Sequence, residues 1–557
     1  MVEAGAFTRL PRGQRPTVVS PIGVVAKPHS EKFRLVINTR YVNKHLAKKV
    51  FKFEGLGDLA DIAEKGDHSV SYDLKSAYYH VGLHPMSRRF VGIKWEGVYY
   101  EYTCLAFGLS TAPWVFSKVM RELVMYWRRC GIRNLPYLDD LFFPKKGSRA
   151  CRLVGIRIEE DCFKASLLIS FEKSGLIPLL ARKHLGFEVD LGAGYFRVPA
   201  DRWEALQFST DALLMAKGGR VLARKLASLV GTVISMRLAW GPVCQLYTRH
   251  LYALLNTVWS LNCWVSLSEE AVNELLFWQQ LPRLRFEKEI WPSQKGVSIK
   301  VATDAIDFAW GGHTLGGPLL MAREYFTWEE SVESSTFREL LGVLRCLQAL
   351  VHLCRGKFVV VQVDAQNLLG IINRDSSKLA INKLARDLFW FGWVNGITLS
   401  VEWVPREENA FADELSKLLI PDDWMLAPKF FNLLEARWGP HTVDLFASSD
   451  NAQCEKLYSL HWCHGTAGVN AFGFPWSGEN CWANVPYKAI GRVWRALREQ
   501  QAIATLLVPM SATWWHLVVP DGPHLSEYVV DWVWLPRGDP DLFIGGKAPG
   551  CTILPPN

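Results

Sequence analysis

The run NLPYLDDLFF places two adjacent carboxylates, Asp139 and Asp140, between two β-prone halves. Such a run predicts a β-hairpin with the acidic pair at its turn. A third carboxylate, Asp73, follows another short β-rich run in HSVSYDLKSAYYH. Mg²⁺ prefers carboxylate oxygens on rigid elements, and a strand aspartate that faces a hairpin aspartate supplies them. An isolated Asp-Asp pair is more often a solvated turn, so the surrounding motifs must decide between the two interpretations.

The 557 residues exceed what one hydrophobic core supports, and at about 150 residues per domain they predict three or four domains. A net charge of +8 is compatible with a phosphate-rich partner. Residues 1–30 show no signal-peptide pattern, and no apolar run approaches the roughly 20 residues of a membrane span. With 12 dispersed cysteines, these features predict a cytoplasmic or nuclear chain without a membrane partner.

Changes in residue pattern predict four domains and a multi-domain α/β fold. Residues 1–195 are rich in β-prone runs, including VVAKPHSEKFRLVINTR, which predicts a hairpin with basic residues near its tip. Residues 196–292 show long helical periodicity. Residues 297–420 alternate strand and helix, which favours an α/β domain. Residues 430–557 carry the strands VDLFA and IATLLVPM around the helical YKAIGRVWRALREQ.

Four motifs in order resemble those of reverse transcriptases. They are SYDLKSAYYHV, FGLSTAPWVF, YLDD, and SFEKSG followed by HLGFEV. The resemblance covers about residues 20–290 and implies a right-hand polymerase, with fingers and palm in 1–195 and a helical thumb and connection in 196–292. It further implies an RNA template, a DNA primer, dNTPs as substrates, and Mg²⁺ or Mn²⁺ as cofactor. Two such ions about 3.5–4 Å apart would serve nucleotide addition.

The resemblance assigns roles to individual residues of the palm. Asp73 and Asp139 match the metal-binding aspartates, and Asp140 matches the supporting carboxylate. Tyr78 matches the ring that blocks a ribose 2′-hydroxyl and so favours deoxynucleotides.

Further residues match substrate-binding positions of the family. Lys27 and Arg34 match finger positions that neutralise the triphosphate, and Lys173 matches the motif credited with protonating pyrophosphate. Gly108 matches the loop under the templating base pair. Phe107, beside it, replaces the Gln of the best-known retroviral enzymes.

The stretch 297–420 supplies four more carboxylates. They are Asp304 in VATDAIDFAWGG, Glu339 in STFRELLGVL, Asp364 in VVVQVDAQNLLGII and Asp413 in ENAFADELSK. Convergence of four carboxylates on one sheet edge would suit two-metal hydrolysis of a phosphodiester. The words DAQNLLGII and WVP…N…AD resemble retroviral ribonuclease H, which implies metal binding by all four and an RNA–DNA hybrid as substrate. The segment WVPREENAFAD lacks the His that the family often carries before its last Asp.

Residues 430–557 resemble a phage-type adenine-N6 methyltransferase, in which an [N/D]-P-P-[Y/F/W] loop receives a flipped base. The matching loop here consists of Asn484, Val485, Pro486 and Tyr487, with valine in place of the first proline. S-adenosylmethionine would be a cofactor only if this region is active, and a decayed or structural relict is the favoured interpretation.

The order of reverse transcriptase, ribonuclease H and methyltransferase-like region is similar to that of DIRS-type retrotransposons. This resemblance implies a tyrosine recombinase and structural proteins on other chains. Two alternatives remain open on the sequence. One is a catalytically inactive or host-domesticated scaffold that binds nucleic acid, and the other is a DNA adenine methyltransferase activity in residues 430–557.

Overall fold

The computed structural model describes residues 2–3, 5–26, 33–216, 219–281, 287–291, 298–374, 376, 378–419, 424–509, 512–520, 524–536 and 538–545. The chain divides into two compact units. The first unit comprises 1–241 and 258–293, and the second comprises 242–257 and 294–557. Among the described residues, no helix combines the length and apolar character needed to cross a membrane.

The secondary structure mixes strands and helices along the whole chain. The strands are β1 Phe7–Arg9, β2 Ile22–Ala26, β3 Phe33–Ile37, β4 Asp67–Asp73, β5 Gly92–Trp95, β6 Val98–Tyr102, β7 Leu135–Tyr137, β8 Asp140–Lys146, β9 Gly175–Leu179, β10 Ala181–His184, β11 Phe187–Asp190, β12 Tyr195–Arg197, β13 Arg220–Leu222, β14 Trp264–Ser266, β15 Lys288–Glu289, β16 Ile299–Ala305, β17 Ala309–Leu315, β18 Met321–Tyr325, β19 Phe358–Val363, β20 Thr398–Trp403, β21 Trp424–Leu426, β22 Val443–Asp444, β23 Leu457–Ser459, β24 Thr466–Val469, β25 Asn480–Asn484, β26 Ile503–Leu507 and β27 Phe543–Gly545. The helices are α1 Arg40–Lys44, α2 Pro85–Arg88, α3 Ala112–Arg129, α4 Ser148–Lys164, α5 Ala200–Leu214, α6 Ala223–Ser235, α7 Arg237–Trp240, α8 Val243–Leu246, α9 Arg249–Asn256, α10 Glu269–Gln280, α11 Trp328–Ser331, α12 Ser335–Ala349, α13 Val351–Cys354, α14 Asn367–Arg374, α15 Leu379–Val394, α16 Ala410–Lys417, α17 Pro428–Trp438, α18 Ile490–Gln500 and α19 Ala512–Val518.

An antiparallel sheet in the order β7-β8-β4-β9, called here the hairpin sheet, carries the acidic motifs of the first unit. Helices α3 and α4 contribute Phe116, Trp127 and Ile158 to one buried cluster with Val70 of β4 and Phe143 of β8. Fully burying side chains of this kind stabilises a fold by about 1.5–3 kcal/mol each for the aliphatic ones and phenylalanine. The core therefore holds the ends of β4 and β8 in fixed register.

The remaining parts of the first unit follow the sequence pattern closely. Strands β2 and β3 pair antiparallel, which confirms the predicted hairpin. A second antiparallel sheet has the order β10-β11-β12-β15, and a third has the order β1-β6-β5. Helices α5, α6 and α10 provide the long helical stretch that the periodicity predicts after residue 196.

A five-stranded sheet in the order β18-β17-β16-β19-β20, the mixed sheet, dominates the first part of the second unit. Strands β18, β17 and β16 run antiparallel to one another, whereas β16, β19 and β20 run parallel. The predicted strands and helices are present as β16, α12, β19 and α16, but β17 and β18 follow β16 without an intervening helix, so the strict alternation is wrong at the start of the domain. A Cβ on Gly311 of β17 would lie 2.5 Å from the backbone nitrogen of Ser416, so the glycine lets α16 pack directly on the sheet.

Residues 242–257, which the sequence pattern groups with the helical connection, pack within the second unit. The side chains of Asn382 and Arg386 on α15 donate hydrogen bonds of 3.1 and 2.9 Å to the Leu246 carbonyl at the end of α8. The helical periodicity of this stretch does not indicate that it packs within the second unit rather than the first. A period of 3.6 residues shows which face of a helix is buried but not which element covers that face.

The tail, defined here as the described residues from 424 to 545, is built on a parallel sheet in the order β24-β23-β22-β25-β26. Helix α18 precedes the edge strand β26, and Val443, Cys481 and Val493 lie in one buried cluster. Strand β21 pairs antiparallel with β27. All neighbours within the five-stranded sheet are parallel, as crossover connections require.

Several contacts join the tail to the edge of the mixed sheet, including hydrogen bonds of 2.8 Å from Ser449 and from the His464 amide to Glu324. The Trp462 amide donates to the Met321 carbonyl at 2.8 Å, and the Arg323 amide donates to the Trp462 carbonyl at 3.1 Å. The Trp462 ring lies against His352, with ring centroids 4.1 Å apart. Edge strands present unpaired backbone groups, and here the tail covers part of β18.

Candidate active sites

The end of β4 and the β7–β8 hairpin bring the predicted palm aspartates together. Asp73, the last residue of β4, lies directly opposite Asp140, the first residue of β8. Asp139 lies in the turn after Leu138, whose φ of 55° is uncommon for a non-glycine residue and marks a tight turn. The Leu74 amide donates to the Asp139 carbonyl at 2.9 Å, which fixes the turn against β4. Asp73, Asp139 and Asp140 are called the first cluster below.

Burial and the neighbouring negative charges act on Asp140 in the same direction. Burial, followed by the negative charges of Asp139 and Asp73, raises the pKa of Asp140 to about 6, while Lys173 opposes the shift. The Lys173 ammonium lies 3.4 Å from each carboxylate oxygen of Asp73. This repulsion between acidic groups is what a bound divalent cation relieves, so the residues present fit Mg²⁺ or Mn²⁺.

The loop after α4 that carries Lys173 is fixed to Asp73 by backbone contacts. The Ser170 amide donates to the Asp73 carbonyl at 2.7 Å, and the Asp73 amide donates to the Ser174 hydroxyl at 3.1 Å. Ser174 thus holds both the loop and the aspartate. Sequence reasoning did not identify this serine, and its position directly after Lys173 was the only available signal.

Tyr78 lies beside the first cluster in a short 3₁₀ turn, Ala77–His80. Its ring contacts those of Phe107 and Phe116, with centroids 5.0 and 5.8 Å apart. Burial and then the charge of Asp139 raise the pKa of the Tyr78 hydroxyl, which places the ring near the acidic group. The turn is held by the neighbouring His80, whose Nε2 accepts a hydrogen bond of 3.1 Å from the Leu168 amide.

Gly108 adopts a backbone conformation that suits glycine, with φ of 108°. A Cβ here would lie 3.1 Å from both the Ile37 carbonyl and the Thr39 hydroxyl. The Gly108 carbonyl accepts hydrogen bonds from Thr39 at 2.5 Å and from Asn43 at 2.9 Å. Phe107, the preceding residue, is 41% exposed and therefore offers its ring to solvent or to a bound molecule.

Two predicted finger residues fall in a part of the chain about which the structure gives no side-chain information. Lys27 and the side chain of Arg34 lie outside the described residues.

Three carboxylates of the mixed sheet converge as predicted. Asp304 lies on β16, Glu339 on α12, and Asp364 follows β19 directly. One ligand oxygen from each lies within 4.8 Å of the other two, and in the described chain this is the one group of three or more candidate metal ligands at that spacing. Asp304, Glu339 and Asp364 are called the second cluster below.

Glu339 has the most strongly perturbed acidity of the second cluster. Burial, followed by the charges of Asp304 and Asp364, raises the pKa of Glu339 to about 9. Its Oε2 is buried without a hydrogen-bond partner, although buried polar atoms are nearly always bonded. Burial likewise raises the pKa of Asp304, which also accepts a hydrogen bond of 2.6 Å from Ser416. An unpartnered carboxylate oxygen among three acidic groups fits a divalent cation.

Asp413, predicted as the fourth member, does not belong to the 4.8 Å group. Its carboxylate accepts a hydrogen bond of 2.6 Å from Arg406 and another from Lys417. These hydrogen bonds outweigh the effect of burial and lower the pKa of Asp413. The residue nevertheless lies on the same helix as Ser416, whose hydroxyl oxygen lies 2.9 Å from the Asp413 carbonyl. Ser416 was not identified from the sequence, although its i, i+3 spacing from Asp413 was a usable signal.

The methyltransferase-like loop lies at the end of β25, and its polar group is engaged within the fold. The Asn484 amide nitrogen donates to the Trp424 carbonyl at 2.7 Å. Val485, which replaces proline, is 3% exposed, whereas Pro486 and Tyr487 lie at the surface. This hydrogen bond from Asn484 therefore connects the end of β25 to β21.

Two family models match this chain. Residues 25–189 match the reverse transcriptase (RNA-dependent DNA polymerase) family. Residues 416–527 match the family described as DNA N-6-adenine-methyltransferase (Dam). The chain thus carries a reverse transcriptase domain and a C-terminal domain similar to Dam methyltransferases, which confirms these two resemblances.

Similar curated proteins are plant viral polyproteins. The enzymatic polyprotein of cauliflower mosaic virus (strain Strasbourg) is 22% identical over 405 residues, covering 70% of this chain and 56% of the relative. The genome polyprotein of Petunia vein clearing virus (isolate Shepherd) is 24% identical over 401 residues, covering 69% of this chain and 17% of the relative. The chain thus spans about half the length of the cauliflower mosaic virus polyprotein.

Similar solved structures include two of a foamy viral protease-reverse transcriptase. The one in complex with double-stranded DNA has a TM-score of 0.46 at 17% identity and covers 72% of this chain and 67% of that chain. The one in complex with an RNA/DNA hybrid has a TM-score of 0.45 at 18% identity and covers 72% of this chain and 51% of that chain.

Proposed function

We propose that this chain is an RNA-directed DNA polymerase of a retroelement. We further propose that the second cluster, at the mixed sheet, cleaves the RNA strand of the resulting hybrid. The observation that carries the polymerase is the placement of Asp73 opposite Asp140 within the stretch that matches reverse transcriptases. The convergence of Asp304, Glu339 and Asp364 supports the second activity.

In the polymerase site, Asp73 and Asp139 would hold Mg²⁺ or Mn²⁺, with Asp140 in support. The bound ions would supply Lewis-acid stabilisation of the reacting oxygens. Lys173 stays close to Asp73 through the fixed loop and carries the positive charge that offsets a triphosphate or departing pyrophosphate. Tyr78, packed between Phe107 and Phe116, would exclude a 2′-hydroxyl and thereby select dNTPs.

In the hydrolytic site, Asp304, Glu339 and Asp364 would hold the ions and an RNA–DNA hybrid would be the substrate. Ser416 orients the Asp304 carboxylate by donating to one of its oxygens. Arg406 and Lys417 hold Asp413 in its deprotonated form at the margin of the site. Asp413 would therefore bind a metal ion only after at least one of its ion pairs with Arg406 and Lys417 is broken.

The order of the domains supports assignment to a DIRS-type retrotransposon, with a recombinase and structural proteins on other chains. The Dam-like match C-terminal to the reverse transcriptase domain favours this type. The chain would act in the cytoplasm, the nucleus or both. For the tail we favour a relict over an active methyltransferase, because Asn484 already donates to Trp424 and because Val485 replaces the first proline of the loop.

The test is extension of a labelled DNA primer on a labelled RNA template by the purified full chain with Mg²⁺ or Mn²⁺. Growth of the DNA strand together with shortening of the RNA strand is the expected result. A folded protein that binds the primer–template but neither extends DNA nor cleaves RNA would instead support the inactive scaffold. Methyl transfer from S-adenosylmethionine to DNA that is lost in Asn484→Ala would overturn the relict interpretation.

A further inference from the structure

Four cations at or near one helix of the tail differ from the other described lysines and arginines of the tail in having no acidic partner among the described residues. Lys488 precedes α18, and Arg492, Arg495 and Arg498 lie on it, all four being exposed. None of them forms an ion pair with a carboxylate of the described residues. These four residues are called the basic stripe.

Every other described lysine or arginine of the tail has such a partner. Lys429 pairs with Asp541 at 3.4 Å, Arg437 with Asp531 at 2.8 Å and Lys456 with Glu479 at 2.6 Å. The tail therefore neutralises its cations elsewhere and concentrates unbalanced positive charge on one helix. Such an asymmetry indicates an anionic partner that is absent from the chain itself.

Exposed aromatic rings border the basic stripe at both ends. Tyr487 is 49% exposed and directly precedes Lys488, while Tyr528 is 51% exposed. The Arg498 guanidinium lies 4.6 Å from the centroid of the Tyr528 ring. A row of cations with an exposed ring at each end suits a single nucleic-acid strand, because the cations neutralise phosphates and the rings stack on unpaired bases.

The helix geometry argues against a membrane as the partner. Ile490 and Val493 of α18 are buried inside the tail, and Ala496 and Leu497 pack against the same cluster, so these apolar side chains are not available to insert between lipids. At a rise of about 1.5 Å per residue, the basic stripe extends for roughly 15 Å. That length accommodates about four nucleotides at approximately 3.4 Å per nucleotide.

We propose that the basic stripe of the tail binds single-stranded nucleic acid, separately from both carboxylate clusters. The surface needs neither S-adenosylmethionine nor an intact methyltransferase loop. It would give the Dam-like domain a function in holding template or product strands even if the domain transfers no methyl group.

The test measures binding of a labelled 30-nucleotide DNA strand to the full chain by fluorescence anisotropy over a range of salt concentrations. For the variant K488Q/R492Q/R495Q/R498Q, we expect at least tenfold weaker binding. We also expect the slope of log affinity against log salt to fall by about 2 to 3, since each lost phosphate contact removes about 0.7.

Two matched variants make the result specific. R492K/R495K/R498K keeps the charge and should bind nearly as the wild type does. K429Q/R437Q/K456Q removes three cations that are already paired, and it should leave the salt slope unchanged. A strand carrying 5-iodouracil should crosslink to Tyr487 or Tyr528 in the wild type and much less in the quadruple variant.

An unchanged affinity and salt slope in the quadruple variant would overturn the proposal. An equal loss in the variant of paired cations would also overturn it, because the effect would then come from net charge alone. Primer extension on a short primer–template reports the polymerase independently. If the basic stripe does not bind the strand, primer extension is still expected. If primer extension is absent, strand binding by the tail is still expected.

Discussion

The first and second clusters contain the same chemical groups but balance their charge differently. The first cluster has a lysine beside it, since the Lys173 ammonium lies 3.4 Å from Asp73. The second cluster has no cation at that distance from its three ligands among the described residues, and its nearby Arg406 and Lys417 hold Asp413 instead. Burial is the largest cause of the raised pKa in both clusters, followed by the neighbouring negative charges, and the pKa reaches about 6 for Asp140 and about 9 for Glu339. The second cluster therefore depends more strongly on protons or metal ions for relief of repulsion.

The sharpest test of two separate sites is Asp139→Asn, which should reduce primer extension at least about 100-fold and leave cleavage of the RNA strand near wild type. A primary metal ligand contributes several kcal/mol to the transition state, and 1.36 kcal/mol corresponds to about a factor of ten. The measurement is single-turnover extension and RNA cleavage on one hybrid. Retention of more than about a tenth of the extension rate would remove Asp139 from the ligands.

The reciprocal variant Glu339→Gln should reduce RNA cleavage by a comparable factor, about 100-fold, and spare extension, because only the second cluster loses a ligand charge. The same hybrid assay measures it. Loss of both activities in either variant would mean that the two sites do not act independently.

The Glu339→Gln variant also tests the contrast in acidity. The raised pKa of Glu339 contributes stability to the metal-free protein that is present in full below about pH 4.5 and is lost as pH rises through about 9. For Asp140 the corresponding loss runs from about pH 3.8 through about 6. The melting temperature of the metal-free wild type should therefore keep falling between pH 6 and 9, and Glu339→Gln should flatten that interval. Mg²⁺ should flatten it in the wild type, and identical profiles for both metal-free proteins would contradict the shift.

Tyr78 should give the first cluster its selection of the nucleotide sugar. We predict no such selecting ring beside the second cluster. Tyr78→Ala is expected to raise incorporation of rNTPs relative to dNTPs about tenfold, because it removes the ring that would exclude the 2′-hydroxyl. Single-nucleotide kinetics give this ratio. Tyr78→Phe keeps the ring and serves as the control, and unchanged selectivity in the alanine variant would indicate a packing role only.

The smallest expected effect concerns the hydrogen bond from Ser416 to Asp304. Ser416→Ala should slow RNA cleavage only a few-fold, since the net contribution of a typical hydrogen bond is about 0.5–1.5 kcal/mol, at most about a factor of ten in rate, and the metal ions share the orienting role. Ser331→Ala removes an exposed hydroxyl of the same unit and is the matched control. A loss as large as that of Glu339→Gln would make Ser416 part of the ligand geometry itself.

The sequence predicted on which strands and helices the carboxylates lie, because strand ends and helix faces are local features. Asp73 and Asp139 follow short β-prone runs, and the pairing of β4 with β8 brings the end of β4 next to the hairpin turn. Asp413 shows where this reasoning stops, since a local pattern places it on α16 but does not reveal that Arg406 and Lys417 occupy its oxygens. Ion-pair partners depend on side-chain rotamers, which residue periodicity does not encode.

Long-range contacts were the least predictable part of the molecule. The tie between Asn484 and Trp424 joins residues 60 positions apart, and the resemblance to a base-flipping loop suggested a different role for the amide. The packing of residues 242–257 within the second unit likewise depends on the hydrogen bond from Asn382 to the Leu246 carbonyl. In each case a hydrogen bond between distant segments decides the outcome, and neither segment carries a pattern specific to its partner.

The contact between Trp462 and β18 has a consequence for proteolytic processing. Two backbone hydrogen bonds and the Trp462 ring attach the tail to the mixed sheet from a position well after residue 424. A protease that cuts the chain between the mixed sheet and the tail would therefore leave two fragments that still share this contact. Denaturing electrophoresis would show two products, and gel filtration under native conditions would measure whether the contact keeps them in one particle.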